Sequence, residues 1–361
     1  MLYHLLYPLT SSLSFFNIFR YITFRTAYAT VTALLISLIL GPIIIRKLKQ
    51  RKIAEKVRAE GPTTHLAKEG TPTMGGLIIL ISVVVPTALW ADLTNIYIRL
   101  ILLTTIWMGL IGFMDDYLKA VKSQPKGMVG RKKLVGQISL GIILGLILFL
   151  NPASPNFDTT TEIPFLKNYI LDFGILYIPF VALVITGSSN AVNLADGLDG
   201  LAIGLVGLCA MAFAGLCYVT GRIDFSRYLA ITYLEGSWEL TIFCGSLIGA
   251  SLGFLWFNAH PAEVFMGDTG ALPLGAALGA IAIMIKKELL LIIVGGVFVA
   301  EALSVILQVA WFKWKGKRIF KMAPLHHHFE LLGWKESKVV VRLWIIGAIC
   351  ALLTLSTLKI R

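Results

Sequence analysis

Residues 98–122 read IRLILLTTIWMGLIGFMDDYLKAVK. The apolar part of this stretch approaches the roughly 20 residues that cross a bilayer as a helix. It stops on two carboxylates, Asp115 and Asp116. The pattern recurs elsewhere in the chain. Asp196 and Asp199 lie in NAVNLADGLDG (190–200), and Asp268 lies in VFMGDTG (264–270), each beside a long apolar run. A carboxylate near hydrocarbon costs about 2.5–3.5 kcal/mol, so an acidic residue in such a place marks a candidate functional site. Together, the five aspartates point to a site for a cation and for whatever that cation holds.

The whole chain fits this reading. It is 57% hydrophobic and 14% charged, against roughly 25% charged in an ordinary soluble domain. The expected class is an all-α polytopic membrane protein, a single transmembrane domain over 1–361. Ten apolar stretches are candidate spans: 26–45, 74–91, 98–114, 134–150, 170–187, 200–219, 239–257, 271–285, 289–311 and 339–358. The stretch 271–285 is the shortest and is rich in Gly and Ala. The four cysteines lie in apolar segments without metal-ligand or CxxC spacing, which predicts small packing residues. The N-terminus shows no signal-peptide pattern.

The loops 46–72, 115–133, 188–199, 258–270 and 312–338 carry most of the 32 Lys and Arg. The richer side is expected to be cytoplasmic. Ten spans then put both termini outside and all five aspartates on the cytoplasmic face. The net charge of +12 follows from this bias, which argues against nucleic-acid binding. The outward loops, such as NPASPNFDTTTEIP (151–164), read as ordinary polar connections. One-sided polar chemistry disfavours an ion-coupled transporter, whose polar residues gather near the midplane. A purely structural scaffold would leave the aspartates unexplained.

Five segments carry the candidate chemistry. HLAKEGTPTMGG (65–76) offers Lys68 and glycines whose N–H groups suit an anion at a helix start; the alternative is a plain loop-to-helix entry. In GFMDDYLKAVK (112–122), neighbouring Asp115 and Asp116 point about 100° apart on a helix. They are therefore not expected to chelate one metal as an equal pair. Lys119 stands i+4 from Asp115, which also fits a surface salt bridge. SSNAVNLADGLDGLA (188–202) is too polar to read as a span. Asn190, Asn193, Asp196 and Asp199 on a compact turn could read a uracil or ribose edge; the alternative is an Asx-rich capping loop. WFNAHPAEVFMGDTGA (256–271) supplies Asn258, Phe265 for stacking or for core contact, and Asp268, a hard oxygen ligand suited to Mg²⁺. MAPLHHHFE (322–330) supplies His326, His327 and His328. Three consecutive His do not easily hold one metal, but they can contact phosphate; the alternative is a solvated loop. Basic groups such as Lys68, Lys119 and Lys133 would offset repulsion between phosphates.

Taken in order, GTPTMGG, GFMDDY, NAVNLADGLDGLA, FNAHPAEVFMGD and MAPLHHHFE resemble the polyprenyl-phosphate N-acetylhexosamine-1-phosphate transferases over essentially the whole chain. The resemblance implies ten transmembrane helices, commonly a homodimer, in the bacterial cytoplasmic membrane. It implies Mg²⁺-dependent transfer of a phospho-sugar from a UDP-sugar to undecaprenyl phosphate, with release of UMP. The His triplet favours UDP-MurNAc-pentapeptide over UDP-GlcNAc as the donor. By the same resemblance Asp268 is the Mg²⁺ ligand, and Asp115 and Asp116 are essential near the lipid phosphate. Lys68, Asn193, Asp196, Asp199, Asn258 and Phe265 match nucleoside-pocket positions, and His326 to His328 the phosphate side. Ala195 and Ala271 depart from the Thr and Ser usual in the family, and neither replaces an implied ligand.

Overall fold

The computed structural model describes residues 1–11, 13–51, 53, 68, 70–122, 124, 127–166 and 169–358. Most of the basic loop 46–72, including His65 to Ala67 and Glu69 of the first motif, lies outside the described residues. The elements, in order, are α1 (Leu2–Leu6), α2 (Ile22–Gln50), α3 (Gly76–Trp90), α4 (Ile96–Ala120), α5 (Gly130–Leu150), β1 (Thr160–Glu162), β2 (Ile170–Asp172), α6 (Tyr177–Ala195), α7 (Leu201–Thr220), α8 (Ile223–Leu229), α9 (Leu240–Asn258), α10 (Asp268–Met284), α11 (Leu290–Val294), α12 (Gly296–Lys315), α13 (Leu325–Leu331) and α14 (Glu336–Ser356). Among the described residues, eight helical segments are long and apolar enough to cross a membrane, and α3 and α10 are shorter apolar helices. The chain is thus a multi-pass helical membrane protein. Eight of the ten stretches expected from hydropathy each fall on a single one of these helices, while 170–187 and 289–311 do not.

The structure differs from the sequence reading in three stretches. The expected span 170–187 opens with strand β2 and becomes α-helix only at Tyr177. The run 289–311 is broken at Gly295, so α11 ends before α12 begins. The segment 188–195, expected to be loop, continues α6. Its polar groups are satisfied inside the bundle. The Ser188 hydroxyl donates to the Val184 carbonyl at 2.8 Å and the Ser189 hydroxyl to the Leu272 carbonyl at 3.0 Å. Asn190 donates to the Thr186 carbonyl at 2.8 Å and to Gln137 at 2.9 Å. A helix whose polar side chains bond to neighbouring helices needs no water.

Small residues set how closely the helices pack. Gly245, Gly249 and Gly253 form a stripe on α9 against α2. A Cβ at Gly249 would stand 2.1 Å from the Thr30 carbonyl oxygen, and one at Gly253 would stand 2.5 Å from Ser37. Such stripes let membrane helices approach backbone to backbone. α10 lies deepest, with every residue from Asp268 to Met284 buried. Apolar side chains such as Ile39, Leu110, Leu183, Leu252, Ile306 and Leu352 are exposed on the outer helices, as a lipid-facing surface requires. Cys209, Cys217 and Cys244 are buried and free, and Cys350 is free and half-buried.

The end of the bundle away from the aspartates is not chemically plain, contrary to the expectation for its loops. β1 and β2 pair antiparallel, and this hairpin is tied to the far end of α10 by buried charges. Lys286 donates to the Asp158 carbonyl at 2.9 Å and lies over the Tyr177 ring at 4.3 Å. Glu288 accepts from the Tyr177 hydroxyl at 2.8 Å and from the Thr161 hydroxyl at 3.2 Å. Lys287 pairs with Glu162. Burial lowers the pKa of Lys286 and raises that of Glu288. Nearby, Arg25 and Glu239 form a buried two-pronged pair at 2.6 and 3.0 Å. Lys286-Lys287-Glu288 falls between two of the expected spans, and the fold closes the hairpin over it.

Candidate active site

Two polar clusters occupy the other end of the bundle. The first gathers Asp115 and Asp116 from the last turn and a half of α4 with Asp268, the first residue of α10. Each offers an oxygen within 4.8 Å of the others, a group able to hold a metal ion. All three are buried. The approach depends on Gly112, where a Cβ would stand 2.1 Å from the backbone oxygen of Asp268.

The two neighbouring aspartates do different work, as their angular separation predicts. Asp115 accepts the Met128 N–H at 2.7 Å and pairs with Lys119 at 2.5 Å and Lys133 at 3.3 Å. Lys133 and Lys119 also reach Asp268, at 2.5 and 3.2 Å. Asp116 turns to the start of α10. It accepts the Asp268 N–H at 3.2 Å, the Thr269 N–H at 2.8 Å and the Thr269 hydroxyl at 2.6 Å. The first N–H groups of a helix have no partners within it. Asp116 therefore caps α10 from another helix, with its negative charge at the favourable end of the helix dipole. Gly267, which leads into α10, has φ +70°, and a Cβ there would stand 2.6 Å from an Asp116 oxygen. Thr269 was not singled out from the sequence, and no spacing within α10 marks it.

The second cluster is built on Lys68. Its ammonium donates to Asp199 at 2.7 Å and to Glu336 at 2.6 Å. Burial alone would lower its pKa, but its hydrogen bonds to Asp199 and Glu336 and their negative charge outweigh this and hold it above the ordinary lysine value. Asp199 also meets the His260 ring and accepts the Ala262 N–H, both at 3.1 Å. Asn258 is buried, and both ends of its amide are engaged. It accepts the Gly200 N–H at 3.0 Å and donates to the Val264 carbonyl at 2.8 Å. It therefore staples the 196–200 turn to the segment that leads into Asp268.

That segment lies along the entry to α3. The Phe265 N–H donates to the Pro72 carbonyl, and Gly75 and Gly76 donate to the carbonyls of Phe265 and Met266, at 2.8 to 2.9 Å. For Gly75 and Gly76 this corrects the expectation that the glycine N–H groups face an anion, because theirs are spent on backbone pairing. The close approach itself is real: a Cβ at Gly76 would stand 2.1 Å from the Gly270 nitrogen. Phe265, Asn193 and Asp196 are half-buried.

The histidines diverge. His326 is buried beside Glu301 of α12, 3.2 Å from its carboxylate, and its Nε2 lies against Gly197, where a Cβ would be 2.3 Å away. His327 meets Glu330 at 2.9 Å. His328 accepts the Lys321 N–H at 3.1 Å. The three rings thus form no common ligand set, and His326 abuts the turn between Asp196 and Asp199. Asn190 is bound to Gln137 inside the bundle.

Known proteins resemble this chain along its whole length. The family model described as glycosyl transferase family 4 matches residues 98–286. The first signature of the phospho-N-acetylmuramoyl-pentapeptide-transferases matches residues 68–80. The chain is 57% identical to the phospho-N-acetylmuramoyl-pentapeptide-transferase of Desulforapulum autotrophicum. It is 54% identical to that of Citrifermentans bemidjiense and 51% to that of Endomicrobium trichonymphae. Each alignment covers 100% of both chains.

Proposed function

Because the chain belongs to glycosyl transferase family 4 and, within it, to the phospho-N-acetylmuramoyl-pentapeptide-transferases, we propose that it transfers phospho-MurNAc-pentapeptide from UDP-MurNAc-pentapeptide to undecaprenyl phosphate. The observation that carries this reading is the buried group Asp115, Asp116 and Asp268 with Lys119 and Lys133 on it. A terminal oxygen of the lipid phosphate attacks the phosphorus that bears the sugar. The new P–O bond forms, the bridging P–O bond breaks, and UMP leaves with the electron pair.

Phosphoryl transfer asks mainly for positioning and charge neutralisation. With a second pKa near about 6, the lipid phosphate is largely dianionic at neutral pH. No strong base is required. The obstacle is the repulsion between that dianion and the pyrophosphate, and Lys119 and Lys133 stand where they can offset it. Hard carboxylate oxygens in this number fit Mg²⁺. Asp268, with Asp115 beside it, would hold the ion, which supplies further positive charge against the pyrophosphate when bound. Asp116 is committed to capping α10 and acts by holding Asp268 in place.

This distribution supports a direct attack over a phospho-aspartate route. Asp115 and Asp268 carry lysines, and Asp116 carries three hydrogen bonds, so each carboxylate is a weakened nucleophile. Lys68, Asn193, Asp196, Asp199 and Phe265 are assigned to the uridine side, with Asn258 bracing them. His326 to His328 are assigned to the phosphate side. Asn190 braces the helices with Gln137.

Basic residues crowd the site's end of the bundle, among them Lys47, Lys49, Lys132, Lys313 and Lys315. This favours a cytoplasmic site, ten spans, termini outside and the bacterial inner membrane. A site at that interface can meet a water-soluble nucleotide and a lipid-bound phosphate together. A homodimer is assigned on the resemblance alone.

The test is UMP release by the purified protein, supplied with both substrates, with and without Mg²⁺. Turnover should vanish on chelation, return with Mg²⁺, and remain absent in Asp268→Asn. Normal turnover by that variant would overturn the metal assignment, and a trapped phospho-aspartate would overturn direct attack.

A further inference from the structure

Glu336 was not singled out from the sequence, yet its carboxylate touches the centre of the second cluster. It opens α14, the last helix. One oxygen accepts from the Lys68 ammonium at 2.6 Å and from the Asp199 backbone N–H at 2.8 Å. The other lies 3.6 Å from the His260 ring nitrogen. Glu336 thereby joins four segments distant in sequence: the Lys68 loop, the 196–200 turn, the 258–264 segment and α14.

Asp199, His260 and Glu336 also lie within 4.8 Å of one another, as a metal site would require. The Lys68 ammonium rests on both carboxylates, as Lys119 and Lys133 rest on Asp115 and Asp268. Two carboxylates here clamp one lysine.

We propose that Glu336 is a positioning residue for the uridine nucleotide: it fixes where the Lys68 ammonium points and where the Asp199 turn sits, without touching the substrate itself. This rests on the proposed transferase reading. Lysine has a flexible four-carbon stem and a point charge with no preferred direction. Held by Asp199 alone, the ammonium could swing about one acceptor; a second carboxylate removes that freedom. Because the same Glu336 oxygen accepts the Asp199 N–H, the lysine and the turn are set relative to each other. A loss of preorganisation of this kind raises the cost of binding. The lipid phosphate and the transfer chemistry belong to the other cluster and should be little affected.

The experiment compares wild type, Glu336→Gln and Glu336→Asp as purified full-length protein, with thermal unfolding measured alongside. In Glu336→Gln, KM for UDP-MurNAc-pentapeptide and Kd for UMP should each rise about tenfold, the loss expected for one charge-assisted hydrogen bond. Its kcat and its KM for undecaprenyl phosphate should stay within about twofold of wild type. Glu336→Asp should recover part of the UMP affinity. Unchanged UMP binding in Glu336→Gln would overturn the proposal. So would a fall in kcat with both KM values altered and no rescue by Glu336→Asp, which marks a structural residue. If wild type binds UMP but releases none from substrate, the transferase reading fails, and the UMP-binding comparison still decides the role of Glu336.

Discussion

Asp116 on α4 accepts both the backbone N–H and the hydroxyl of Thr269 on α10, at 2.8 and 2.6 Å. This bond pair sets where α10 begins, and so where Asp268 stands. In Asp116→Asn, an amide NH₂ can face the Thr269 donors. Turnover is expected to fall by about 10²-fold or more, the scale on which misplacing a reacting group acts. Thr269→Val keeps the backbone bond and should lose less, about tenfold. UMP affinity should be close to wild type in both, because the uridine cluster is built separately. Steady-state kinetics with UMP titration checks this; wild-type turnover in Asp116→Asn would remove the capping argument.

Gly112 supplies the space for the same crossing. Gly112→Ala puts a methyl group 2.1 Å from the Asp268 carbonyl oxygen, so α4 and α10 must part. Turnover should drop about 10²-fold from a displacement near 1 Å. Gly187→Ala is the control, since a Cβ there meets nothing within 4 Å. Equal activity in the two alanine variants would show that the crossing tolerates the shift.

Asn258 separates bracing from contact. Both ends of its buried amide are used within the protein. Asn258→Ala should lower stability by about 1–3 kcal/mol as well as weaken UMP binding. Asn258→Asp sets a carboxylate oxygen against the Val264 carbonyl and should be at least as harmful. Thermal unfolding in detergent is the measurement. A variant that loses UMP affinity at unchanged stability would indicate a direct contact instead.

At the opposite end, Glu288→Ala removes the nearer of the two carboxylates paired with buried Lys286, leaving Asp158, and strips the Tyr177 and Thr161 hydroxyls of their acceptor. Breaking a buried pair costs about 3–5 kcal/mol, so the melting temperature should fall by several degrees. In the fraction that remains folded, kcat should match wild type. A selective loss of kcat without a change in melting temperature would show that the hairpin communicates with the site.

The apolar helices were legible because lipid demands long uninterrupted runs, and 98–114 or 339–358 can hardly be read otherwise. The aspartates were legible for the converse reason. Less visible was anything whose polarity is satisfied across helices. Asn190 reads as a candidate ligand in sequence, and its partner Gln137 lies on another helix. Asn258 looked free to read a nucleoside, yet its partners lie at Gly200 and Val264. Glu336 has no sequence relation to Lys68, since 268 residues separate them. The burial of Lys286 to Glu288 has no local signal, because the hairpin that covers them lies more than a hundred residues earlier in the chain.

α10 is seventeen residues long and wholly enclosed by other helices. A segment so short, with an acidic residue at its head, has little reason to settle in lipid by itself. Its berth is made chiefly by α4 and α6, with α3 and α7 at its margins, and all four leave the ribosome earlier. Asp268 is therefore the last of the three acidic groups to be synthesised, and Asp116 is made before the helix it caps.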